Sequence, residues 1–181
     1  NSYSNSYPGL NKNNLNFNGK EMLYELTGTD LAEIFGITET NAIEIISEVG
    51  LDMSKWPTVK HFTSWLNLAP NNKISGGKVL SSRIPKKKNH AGQIFRMAAF
   101  AIQRSKNWLA MFYNRIKAKN GAPKAIVATA RKIAAIFYKM IKERVKFNPI
   151  PIEKYMDGFK ENQIKKLKRQ AKNLGLQIVE M

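Results

Sequence analysis

Apolar positions recur at three- and four-residue steps through most of the chain, and glycines, prolines and small polar residues mark where each run stops. From Phe17 onward, Met22, Leu23 and Leu26 share one helical face, which Gly28 ends. Thr29 or Asp30 caps a short helix carrying Leu31, Ile34 and Phe35. Gly36-Ile37-Thr38 then turns the chain, and Thr38 caps a helix with Ala42, Ile43, Ile45, Ile46 and Val49 that closes at Gly50. Trp56-Pro57-Thr58 opens another through Val59, Phe62, Trp65 and Leu66, ending near Pro70. Residues 71–90 keep no sustained period and read as a central loop, with room for a short hairpin around Gly76-Gly77.

Longer helices follow. One runs over about 91–105 with Ile94, Phe95, Met97, Ala98, Ala101 and Ile102 inward, and a second over about 107–119 packs through Trp108, Leu109, Phe112, Tyr113 and Ile116. Asn120-Gly121 stops the second, and Pro123 sits in the first turn of a third, about 123–143, built on Ile126, Val127, Ala130, Ile133, Ala134, Phe137, Met140 and Ile141. After Pro149 and Pro151 comes a basic helix, about 160–173, and then Leu176-Gln177-Ile178-Val179 as a short strand. The fold expected is mainly α: a helical domain with a helix-hairpin-helix-like part near its start and a central loop. The expected division is a leader or linker at 1–14, the helix-hairpin-helix-like segment at 15–57, the core at 58–147 and a basic helix and tail at 148–181. The polar, repetitive leader without an initiating Met reads as part of a longer protein.

Charge changes this picture more than composition does. The net charge is +17. Residues 1–52 hold 8 acids and 2 bases, 53–142 hold 19 bases and no acid, and 143–181 hold 9 bases and 5 acids. A surface that is merely solvated mixes signs, so an acid-free stretch of this length points to a polyanion, with nucleic acid ahead of an anionic membrane. The hydrophobic content of 43% supports a packed core. There is no apolar run of about 20 residues and no export signal. With no cysteine there is neither disulfide nor thiolate zinc site, which suits the cytoplasm, and His61 and His90 are too few for a histidine metal site. Clustered carboxylates for metal-dependent phosphoryl transfer are missing from the basic segment, so a metal nuclease would need them from elsewhere. The Gly36 turn fits either a phosphate-binding hairpin or a plain packing hairpin, and Glu33, Glu39, Glu44 and Glu48 around it oppose DNA. The run Lys165-Lys166-Leu167-Lys168-Arg169 fits a nucleic-acid grip or a solvated face equally well.

The loop at 70–96 holds the candidate chemistry. Ser75 stands between Ile74 and the pair Gly76-Gly77, where a hydroxyl is exposed and glycines let a phosphate approach the backbone. Lys73, Lys78, Arg83, Lys86, Lys87, Lys88 and Arg96 supply charge for a phosphate and its transition state. Ser-Gly-Gly is equally common as loop punctuation, and spacing alone does not place His90 as its base.

The strings HFTSWLNLAPNNKISGGKVLSS, NHAGQIFRMAAFAIQRS, FYNRIKAKNGAPKAIVATARKIAAIFYKMIK and AKNLGLQIV resemble the C-terminal domain of the bridge-RNA-guided, serine-containing DEDD transposases of insertion sequences, relatives of the pilin-gene inverting recombinase. LTGTDLAEIFGITETNAIEIISEVGLD resembles the helical stretch before that motif, so the likeness covers roughly Leu15 to Met181. It implies a nucleophilic serine at Ser75 that becomes covalently joined to DNA, and nucleic-acid contacts from Lys73, Gly76, Gly77, Lys78, Arg83, Lys86, Lys87, Lys88, Asn89 and Arg96. Many members place a glycine where this chain has Lys88. The resemblance also implies a preceding RuvC-like domain whose carboxylates bind Mg²⁺, a guide (bridge) RNA, DNA as substrate and a homo-oligomer. No cofactor is expected within this chain itself. Without chemistry, the same residues describe a DNA- or RNA-binding helical module.

Overall fold

The computed structural model describes residues 18–69, 73–76, 78–81 and 89–178. They form a mainly α-helical fold with one small hairpin. Helices α1 (Gly19–Thr27) and α2 (Glu39–Val49) precede α3 (Val59–Trp65). Strands β1 (Lys73–Ser75) and β2 (Lys78–Ser81) follow, then α4 (His90–Ala101), α5 (Trp108–Asn120), α6 (Ala122–Glu143) and α7 (Ile152–Asn173).

The expected caps are in place. Gly28 ends α1 in the left-handed region at φ 73°, and Thr38 and Asn41 form a reciprocal capping box at the start of α2. Gly121 ends α5, and Pro123 lies in the first turn of α6. One buried cluster runs from Leu23 to Ile141, with α6 packed against α3, α4 and α5. Tyr138 ties α6 to the turn before α3, its hydroxyl donating to the Trp56 carbonyl at 2.7 Å. Thr29 donates to the Val145 carbonyl at 2.9 Å, and Phe35 meets Phe147 edge to face, so the segment after α6 closes over the first helices.

Several expectations change. The short helix at Leu31 is a single 3₁₀ turn, Leu31–Glu33, so the hairpin partner of α2 is α1. The Gly36 turn is packed against α4: a Cβ there would lie 2.7 Å from the Ala98 carbonyl oxygen. The helix expected over 91–105 passes into a 3₁₀ turn at Ile102–Arg104, and Met97 is 60% exposed. Apolar residues lie on most sides of α4, so its apolar pattern alone does not mark which side faces out. Leu26 and Trp65 are likewise exposed. Helix α7 starts at Ile152, earlier than expected, and runs through Gly158, where a side chain would meet nothing within 4 Å. Residues 176–178 form no strand. Val179, the leader at 1–14, Gly77, Arg83, Lys86, Lys87 and Lys88 lie outside the described residues.

Candidate nucleic-acid interface and serine hairpin

β1 and β2 pair antiparallel, with Ser75 opposite Lys78 and a register shift between Lys73 and Ile74. Ser75 is therefore the last strand residue before the turn, and it is exposed. Gly76 takes φ 54°, a conformation that costs glycine nothing, and the space around it is open.

The loop that carries the hairpin leaves the body at the end of α3 and returns at the start of α4, and these two points are joined. The side-chain amide of Asn89 donates to the Trp65 carbonyl at 3.2 Å, while its oxygen caps α4 by accepting from the Gly92 N–H at 2.6 Å. Gly92 lets α4 press onto the Leu66 carbonyl, since a Cβ there would stand 2.1 Å from that oxygen. Arg96 donates to the Asn67 carbonyl at 2.7 Å. Asn89 and Arg96 thus bond the carbonyls of Trp65 and Asn67, and Gly92 packs on the Leu66 carbonyl between them, along one face of α4. Carbonyls at a helix end lack intrahelical donors, and a cation there also meets the negative end of the dipole. Burial pushes the Arg96 pKa down. Asn67 itself sits at φ 55° between the buried Leu66 and Leu68.

The acids of α2 also have a place in this region. Glu48 accepts from the Ala91 N–H at the first turn of α4, and Glu44 pairs with His90 at 3.5 Å. Their charges face the positive end of α4, where carboxylates stabilise a helix. His61 shares a hydrogen bond with Thr58 at 2.9 Å.

Of the residues singled out from the sequence, the hairpin brings together the positions of Lys73, Ser75, Gly76 and Lys78, and the clamp brings together Asn89 and Arg96. A cluster that sequence reasoning missed lies on α5 and α6. Arg115 sits over the rings of Phe112, Tyr155 and Phe159, and Lys132 over those of Trp108 and Phe112. Burial, then the nearby Arg115 and Arg131, lower the Lys132 pKa. Arg115 and Lys132 belong to different helices, so no local spacing announces the pair. Among the described residues, no group of His, Asp and Glu could hold a metal ion, and no helix is long and apolar enough to cross a membrane.

Residues 28–114 match the model of the Transposase IS116/IS110/IS902 family. The matched stretch starts at the cap of α1, spans the hairpin and its clamp, and ends within α5. It supports an IS110-type transposase domain here, and with it a transposase or recombinase role for the protein. No curated protein matches the chain.

Proposed function

We propose that this chain is the DNA-binding, serine-bearing part of an RNA-guided transposase that acts in the cytoplasm. The observation that carries the reading is an exposed Ser75 at the end of β1, on a hairpin within a loop whose two ends are joined, inside the stretch matched to a transposase family. In the reaction, the Ser75 oxygen attacks a backbone phosphorus and one deoxyribose oxygen leaves. The serine proton passes to a base from the docked partner domain, and the leaving oxygen takes up a proton. Rejoining reverses this with a new deoxyribose oxygen as the attacking group. Lys73, Gly76, Gly77, Lys78, Arg83, Lys86, Lys87 and Lys88 would hold the strand by charge and close backbone approach. Asn89 and Arg96 would keep the two ends of the loop together, and any DNA contact from them would add to that role.

The described residues do not fit a Mg²⁺ site. The metal and its carboxylates are assigned to a preceding RuvC-like domain, and no step on this chain runs through them. Guide RNA and a second protomer complete the assembly in this reading.

The test uses the full-length protein with guide RNA, Mg²⁺ and DNA. Ser75→Ala is expected to abolish the covalent protein–DNA adduct while duplex binding stays close to the parent's. An adduct of undiminished yield refutes the assignment. The neighbouring cations Arg115, Arg131 and Lys132 favour a second reading, a DNA- or RNA-binding module without chemistry. Binding with no adduct from the unaltered, fully assembled protein would select it.

A further inference from the structure

The ring contacts that join helix α7 to the body lie near its start. The Tyr155 ring lies 5.9 Å from Trp108, and Arg115 is sandwiched toward Tyr155 and Phe159. Beyond Phe159, residues 160–170 are all exposed. Exposed helix of this kind is ordinarily polar, yet Ile164 and Leu167 are 37% and 54% exposed, and Leu174 at the C-cap is 75% exposed.

These apolar residues form a stripe. At about 100° per residue, Ile164, Leu167, Ala171 and Leu174 fall within an arc of about 80°. That arc lies about 120° round the helix from the side that Tyr155 and Phe159 turn to the body. Met156 extends it toward the helix start, past Lys160. The steps from Ile164 to Leu167, Ala171 and Leu174 are those of a two-helix seam, and the small Ala171 permits close approach of a second backbone.

The charges select the occupant. Lys165, Lys166, Arg169 and Lys172 are on the far side from the stripe. One rim of the stripe is neutral, with Gln163 and Gln170, and the other mixes Asp157, Glu161 and Lys168. A second copy of the same stripe therefore meets no wall of like charge, whereas rim carboxylates oppose both anionic lipid and nucleic acid.

We infer that α7 pairs with α7 of a second copy of this chain through Ile164, Leu167, Ala171 and Leu174. The seam spans few turns, so the dimer is reversible and depends on concentration. The pairing is independent of the Ser75 assignment and would bring two such hairpins into one particle.

The chain has no cysteine, which makes a single-cysteine scan clean. Sedimentation of the 181-residue chain over rising concentration should show a monomer–dimer equilibrium. Leu167→Glu should raise its dissociation constant about tenfold or more, with the far-ultraviolet helix signal retained, and Lys165→Gln should leave it unchanged. Under mild oxidation, cysteines placed singly at 164, 167, 171 and 174 should cross-link more than those at 165, 169 and 172. A single monomeric mass throughout, or cross-linking that ignores the stripe, overturns the proposal. So does a Leu167→Glu variant that dimerises as the parent does, including one whose only loss is binding to anionic vesicles.

Discussion

Alanine at position 92 tests the clamp under the hairpin directly. The added carbon would stand 2.1 Å from the Leu66 carbonyl oxygen and 3.1 Å from the Asn89 side-chain oxygen. The near neighbour is backbone, so relief requires α4 to withdraw from the end of α3 by roughly 1 Å. That movement stretches the Arg96 bond to Asn67, now 2.7 Å, and the Asn89 bond to Trp65, now 3.2 Å. Overpacking of this kind costs about 1–3 kcal/mol, and weakening two hydrogen bonds adds about 1 kcal/mol each at most. Alanine returns up to about 1 kcal/mol through its better helix propensity. The clash wins, leaving a net loss of about 2–3 kcal/mol and a fall in Tm of roughly 5–10 °C for a chain of this size. Thermal and urea unfolding followed by circular dichroism measure it. Gly158→Ala in α7 is the matched control, because nothing lies within 4 Å of the new carbon, and its midpoint should hold or rise. A Gly92→Ala protein as stable as the parent would refute the close approach on which the clamp depends.

The remaining tests concern a buried hydrogen bond and a half-buried cation. Tyr138→Phe removes the donor to the Trp56 carbonyl and the acceptor for Lys142, at 2.7 Å and 2.8 Å, and should cost about 1–2 kcal/mol in urea unfolding without changing the helix signal. For Lys132 the folded pKa lies below its ordinary value, so the unfolded chain binds more protons between the two values. Its charge thus opposes folding below that window, and its contribution to stability should improve as pH rises through it. Lys132→Gln should accordingly unfold no more easily than the parent at neutral pH, while its nucleic-acid affinity falls and becomes less steep in salt.

Local chemistry marks most of the helix boundaries because a boundary needs only its own residues. Thr38 and Asn41 satisfy the first N–H groups of α2 between themselves, and Gly28 supplies the left-handed residue that ends α1. The hairpin was legible for the same reason: Gly76 takes a positive φ wherever the surrounding chain lies. Orientation was less legible. α4 carries apolar side chains on most of its sides, and its contacts with α2 and α6 decide that Ile94 and Phe95 go inward while Met97 and Phe100 remain exposed beside His90 and Gln93. Helix α7 offers a complementary case: the expected start was about residue 160, but the helix begins at Ile152, directly after Pro151, and runs through Gly158.

For the candidate site, the sequence by itself determined a serine beside two glycines and a stretch of cations without an acid. Asn89 and Arg96 stood out as polar groups near that stretch, but the carbonyls they hold belong to Trp65 and Asn67, many residues earlier. Glu44 and Glu48 looked like charges that would repel DNA until the fold set them against the start of α4. Arg115 and Lys132 come together only because α5 and α6 pack side by side. A side chain's type and its neighbours along the chain are fixed by sequence. Which distant backbone group or charge it meets is fixed by helix packing, and that packing decided which polar groups build the loop's base.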